Sequence, residues 1–140
     1  MPYSIQDDIL EQIDESILIQ LTDPDGAAID EDVVTRAIED ADATIDSYCQ
    51  GRYTVPLSPV PDKIRQISVD IAMYNLFSRR GDAAPEVRKD RHKEAIRFLE
   101  RVSDGKITLG AATPAQSNTP DTVNISSNDR IFDRDKMSGF

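Results

Sequence analysis

The chain has 140 residues, with 26 Asp plus Glu against 16 Lys plus Arg, a formal net charge of −10 and a hydrophobic fraction of 39%. That length supports one domain with a tail, and that charge argues against a general nucleic-acid coat or a binder of anionic membranes. A single cysteine, Cys49, excludes an internal disulfide framework and a cysteine-based zinc cluster.

The opening Met-Pro-Tyr-Ser-Ile-Gln-Asp-Asp lacks a basic segment followed by an apolar run, so no signal peptide is expected. No stretch approaches the apolar length of a membrane span. The expectation is a soluble protein made in a reducing cytoplasm. The charge is unevenly distributed. Residues 1–50 hold 14 acids against one base, Arg36, a net of −13. Residues 51–100 hold 7 acids against 10 bases, a net of +3, and residues 101–140 hold 5 of each. Two readings follow: solvated helix faces of opposite sign, or a head-to-tail contact between an acidic and a basic part of neighbouring subunits.

In chain order, Ser4 reads as an N-cap, and Ile5, Ile9, Leu10 and Ile13 give helical spacing from Ile5 to about Asp14. Ile17, Leu18, Ile19 and Leu21 form a run too short to assign. Thr22-Asp23-Pro24-Asp25-Gly26 is a loop by composition. Asp30 caps the clearest helix, with Glu31 and Asp32 at its positive end. Val34, Ala37, Ile38, Ala41, Ile45, Tyr48 and Cys49 make its apolar stripe, and Glu39, Asp40, Asp42 and Asp46 read as turned away. Gly51 stands where a C-terminal glycine cap belongs.

Pro56, Pro59 and Pro61 forbid a regular helix over Arg52 to Asp62, while Tyr53, Val55, Leu57 and Val60 supply anchors for an extended link. The next helix has Pro61 as its first residue and runs to about Arg79. It carries two stripes: Ile64, Ile67, Ile71 and Tyr74, then Val69, Met73 and Leu76. Such a helix is central in a bundle or shared with a partner. The last helix runs from Pro85 to about Ser103, with Val87, Ala95, Ile96, Leu99 and Val102 inside and Gly105 as its stop. Residues 107–140 are poor in apolar residues, although Val123-Asn124-Ile125 alternates as a short strand would. Two of the four phenylalanines, Phe132 and Phe140, lie in the last nine residues. A polar linker ending in aromatic anchors reads as an arm that orders on a partner. Arg130, Ile131, Phe132, Met137 and Phe140 are its expected docking residues.

Few groups point to chemistry. Asp23, Asp25, Gly26 and Asp32 resemble part of a calcium loop, but Leu21 would occupy its first ligand position and Pro24 interrupts it. His92 has no nucleophile at a readable spacing, and Cys49 closes an apolar stripe. No phosphate-binding glycine loop is present. The sequence therefore offers no catalytic, cofactor or metal constellation. The basic cluster around Arg79, Arg80, Arg88, Lys89, Arg91, Lys93 and Arg97 is interleaved with acids three or four residues away. It reads as a solvated or subunit-facing surface, with Arg79, Arg80, Arg88 and Arg91 as the expected subunit contacts.

Between the two central helices stand Ala41-Asp42-Ala43-Thr44-Ile45-Asp46-Ser47-Tyr48, Gly51-Arg52-Tyr53, Pro56-Leu57 and Val60-Pro61, followed by an apolar helix through Ile71 and Tyr74. In order and spacing, with the Arg130-Ile131-Phe132 tail, they resemble the Mu-like prophage helical connector family of tailed-phage head–tail adaptors. The resemblance implies an all-α bundle of about four helices over residues 1–105, and an extended docking arm over 106–140. It implies a structural subunit in the virion neck, made in the bacterial host cytoplasm and forming a ring, commonly twelve-fold, under the portal protein. Such a ring extends the DNA channel, passes DNA without reading its sequence, and offers a platform to the next neck or tail protein. It brings no catalytic residue and no cofactor. Arg52 and Tyr53 look like junction residues: Arg52 to cap the carbonyls of the preceding helix, Tyr53 to anchor the proline link. Part of the acidic first half is expected to line the channel, where like charge keeps DNA from sticking. The competing readings are a head-completion stopper or tail-completion protein, a small helical DNA-binding or packaging protein, and, with least support, an enzyme.

Overall fold

The computed structural model describes residues 2–79 and 84–110, and within them the chain forms five helices and no strand. They are α1 (Gln6–Leu10), α2 (Glu15–Thr22), α3 (Glu31–Cys49), α4 (Asp62–Ser78) and α5 (Glu86–Ser103). The three long helices pack on one another, and α1 and α2 lie against α4. The fold is the small all-helical bundle expected. Arg80, the 123–125 alternation and all five expected docking residues of the arm lie outside the described residues.

The opening run is divided differently from the sequence reading. Ile5, not Ser4, is the N-cap of α1, and the Asp8 carboxylate accepts from the Ile5 N–H at 2.9 Å. Ser4 is buried instead. The helix stops at Leu10, and the unassigned run becomes α2, starting after Asp14. Apolar spacing continues through Asp14, so periodicity alone missed the break.

Helix α3 forms for the reasons its sequence gives. The Asp30 carboxylate accepts from the N–H groups of Asp32 (3.1 Å) and Val33 (3.3 Å), satisfying two donors that the first turn leaves open. Val34, Ala37, Ile38, Ala41, Ile45 and Cys49 are buried along one face. The helix ends at the expected place by other means. Gly51 has no left-handed backbone, and the Arg52 and Tyr53 N–H groups both return to the Cys49 carbonyl. Pro61 and Pro85 precede their helices by one position, as N-caps with extended ψ. The link to α4 holds two cis peptide bonds, before Pro56 and Pro59.

Helix α4 is the centre of the bundle. Every residue from Ile67 to Met73 is buried. Its two apolar stripes are therefore covered within the described chain, and their burial needs no neighbouring subunit. Helix α5 buries Ala95, Leu99 and Val102, whereas Val87, expected inside, is 61% exposed in its first turn.

Gly105 ends α5 with φ +81°. Its N–H bonds the Val102 carbonyl (3.1 Å), and the Lys106 N–H bonds the Arg101 carbonyl (2.8 Å). This is the reciprocal pair that a left-handed glycine cap makes. Ile107 and Leu109 then fold back onto the core, and the Leu109 N–H donates to the Tyr53 hydroxyl at 3.0 Å.

Candidate assembly surface

The N-terminal segment is held by a polar network that helical periodicity does not reveal. Tyr3 is buried, and its hydroxyl donates to the Asp46 carboxylate while accepting from the Leu57 N–H at 2.9 Å. Its backbone N–H donates to Asp42 Oδ2 at 3.0 Å, and the Ser68 hydroxyl donates to Asp42 Oδ1 at 2.9 Å. The Ser68 proton being committed, Ser4 is the donor across the 2.7 Å Ser4–Ser68 contact. One cluster thus joins the N-terminus, α3, α4 and the proline link. Asp42 and Asp46, expected to point away, are half-buried members of it. Burial raises the carboxyl pKa of Asp42, against the lowering effect of its bonds from Tyr3 and Ser68. Burial, then the bond to Asp46, also holds the Tyr3 hydroxyl protonated.

The basic cluster divides by position. The Arg79 guanidinium donates to the Thr22 carbonyl at the end of α2 (3.4 Å). Arg88 and Arg91 both donate to Gln12 Oε1, each at 3.0 Å. Part of the late positive charge therefore braces the early segments of the same chain. Arg91 stays about half exposed at the mouth of a cleft of about 390 Å³ between α4 and α5. Lys63, Asp70, Glu94, Arg97, Phe98 and Arg101 line it with Arg91. Lys63 Nζ sits 5.5 Å from the Phe98 ring centre, over its face.

Asp70 is the anomaly of this cleft. It is 7% exposed, and its Oδ1 is buried without a hydrogen-bond partner among the described residues. Arg91 stands 4.0 Å from that oxygen, too far for a hydrogen bond, because Gln12 holds its guanidinium. Burial raises the Asp70 pKa, and Arg91, Arg88 and Lys63 only partly offset it. A carboxyl whose folded pKa lies above its unfolded value costs stability at neutral pH, and that cost disappears as the pH falls toward 3.8. In a chain shortened by residues 126–140, Asp70→Asn should therefore raise the urea midpoint at pH 7, with the gain shrinking toward pH 4. A midpoint lowered at pH 7 would show that the arginines make the carboxylate net stabilising.

The remaining singled-out residues are placed as follows. Arg52 lies over Gly105, where an added Cβ would come within 2.4 Å of its Nη1; its guanidinium meets the end of α5 rather than that of α3. Tyr53 is buried and joins the proline link to the segment after α5. His92 stacks on Tyr74 with ring centres 4.0 Å apart, and burial lowers its pKa. Cys49 is fully buried, and its thiol is pushed up to about 11, first by burial and then by Asp46. No described helix is long and apolar enough to cross a membrane.

Residues 3–127 match the family model described as Bacteriophage Mu, Gp36. The chain is 35% identical to the Mu-like prophage FluMu protein gp36 of Haemophilus influenzae over 118 residues, covering 84% of this chain and 82% of that protein. It is 31% identical to gene product J of Escherichia phage Mu over an alignment of 146 positions, covering 100% of this chain and 99% of that protein.

Proposed function

The chain belongs to the bacteriophage Mu Gp36 family, and from that premise we propose that it is a structural, non-enzymatic head–tail adaptor of the virion neck. In this reading, copies form a ring beneath the portal protein, extend the DNA channel, and present a platform to the next neck or tail protein. The observation that carries it is polarity. An acidic exposed surface on α3, with Glu31, Asp32, Glu39 and Asp40, coexists with a cationic cleft between α4 and α5. Surfaces of opposite sign on one subunit suit heterologous contacts, which close into rings. Arg91 and its neighbours supply the basic half of that contact. The acids of α3 also supply a channel lining from which DNA is repelled. The arm, with Arg130, Ile131, Phe132, Met137 and Phe140, provides the anchors on the portal.

Since the apolar stripes of α4 are covered within one subunit, the free chain is expected as a monomer that the portal templates into a ring. Immunogold labelling of intact virions tests the placement. Label confined to the head–tail junction is expected. Label spread over the capsid or along the tail tube would falsify the neck assignment.

A further inference from the structure

We propose that the cleft between α4 and α5 is a docking site for the chain's own arm segment Asp129-Arg130-Ile131-Phe132-Asp133-Arg134-Asp135, held there until assembly.

Three observations carry this. The first is the orphaned carboxylate. Among the described residues Asp70 Oδ1 is buried and unpartnered, in a cleft whose nearest cation is tied to Gln12. A buried acceptor of this kind costs stability unless a donor reaches it, and a guanidinium supplies two in a fixed fork. Arg91 is half exposed, 4.0 Å from that oxygen, and swings aside to admit it.

The second is the charge order. Around Asp70 the cleft presents four cations, Lys63, Arg91, Arg97 and Arg101, against one exposed acid, Glu94, with the Phe98 ring as its apolar wall. Residues 129–135 repeat this in complement: arginines at 130 and 134, acids at 129, 133 and 135, and an Ile-Phe pair between them. With Arg130 on Asp70, Asp129 and Asp133 reach the basic rim, and Phe132 meets Phe98. A simple polyanion would leave Asp70 unpaired, and a simple polycation would face the rim.

The third is reach. Arg101 lines the cleft, α5 ends at Ser103, and Leu109 is still tied to Tyr53. The arm thus departs from the same end of the bundle. The 18 residues 111–128 span up to about 60 Å when extended. The cleft follows α4 from Lys63 to Asp70, about 10 Å. A tether of that length gives an effective local concentration near the millimolar range, so the arm of the same chain outcompetes that of a second copy. This docking does not depend on the adaptor reading. Its function would be to mask the arm anchors in the free chain.

The test places a photo-activatable benzoylphenylalanine at exposed Gln66 on the cleft wall of the full-length chain, with the crosslinked peptides identified by mass spectrometry. The expected product is a monomer-sized species in which position 66 is joined to the peptide containing residues 130–134. Asp70→Asn in the same chain should lower its yield about tenfold, as expected for loss of a charge-assisted bond, with circular dichroism unchanged. Crosslinks only within dimers would assign the cleft to a second copy and overturn the proposal. So would crosslinks that lack the arm, or a yield indifferent to Asp70→Asn. None of these results bears on whether the chain binds a portal.

Discussion

Tyr3→Ala should unfold the chain at a markedly lower urea concentration, losing about 3–5 kcal/mol, as truncation of a buried aromatic does. Against a total stability of about 5–15 kcal/mol for a domain, that is a large share. The loss has two parts. The ring is 2% exposed and belongs to the core, so its removal leaves a cavity. The hydroxyl also bridges Asp46 on α3 and the Leu57 N–H in the proline link, leaving both without it. Tyr3→Phe separates the two parts. It keeps the ring and should cost about 1–3 kcal/mol, the penalty for unpaired buried polar groups. Equal effects of the two substitutions would show that packing adds nothing. A negligible effect of Tyr3→Phe would show that water replaces the hydroxyl. Because the Tyr3 hydroxyl stays protonated, the difference between the variants should not depend on tyrosine ionisation between pH 6 and 9.

Deleting residues 126–140 should weaken association with the portal by at least about a hundredfold, since two aromatic anchors of hot-spot type go with it. The five helices of the described residues lie between Gln6 and Ser103, so the far-ultraviolet circular dichroism of the bundle should hold. Phe132→Ala combined with Phe140→Ala should reproduce most of the loss in a chain of full length. Undiminished association in both variants would remove the arm from the interface and leave the helical surfaces to carry it.

The legible and the illegible parts of the fold differ in the range of the interactions that set them. Helix α3 could be placed to its first residue because Asp30, Glu31, Asp32 and the 34–49 stripe act within one helix. Gly105 was legible for the same reason, since its cap spans only Arg101 to Lys106. The division between α1 and α2 was hidden because the apolar spacing runs on through Asp14, which caps α2 by backbone conformation without a side-chain bond. Val87 follows the helical spacing of its neighbours, but it lies in the first turn of α5, where it is left exposed.

The candidate surface was less legible than the fold. Tyr3 is separated from Asp42 and Asp46 by 39 and 43 positions, and Ser4 from Ser68 by 64. No spacing rule joins such residues. One signal was available: Ser68 and Asp70 sit between the apolar stripes of a helix buried on nearly all sides, where an unpaired polar residue is costly. Two polar residues there announce partners brought from elsewhere. Ser68 found its partners in Asp42 and Ser4, whereas Asp70 Oδ1 has none among the described residues. The charge gradient was legible as a fact but not in its use, because Gln12 and the Thr22 carbonyl engage three of the arginines within the chain.

Mixing the full-length protein with its purified portal ring tests the proposed ring-forming adaptor role most directly. Mass photometry should show a saturable increment of a fixed number of subunits, and electron microscopy a closed ring on one face of the portal, while the chain alone remains monomeric. No association with the portal across a range of salt and pH, or binding that never saturates at a fixed number, would contradict it.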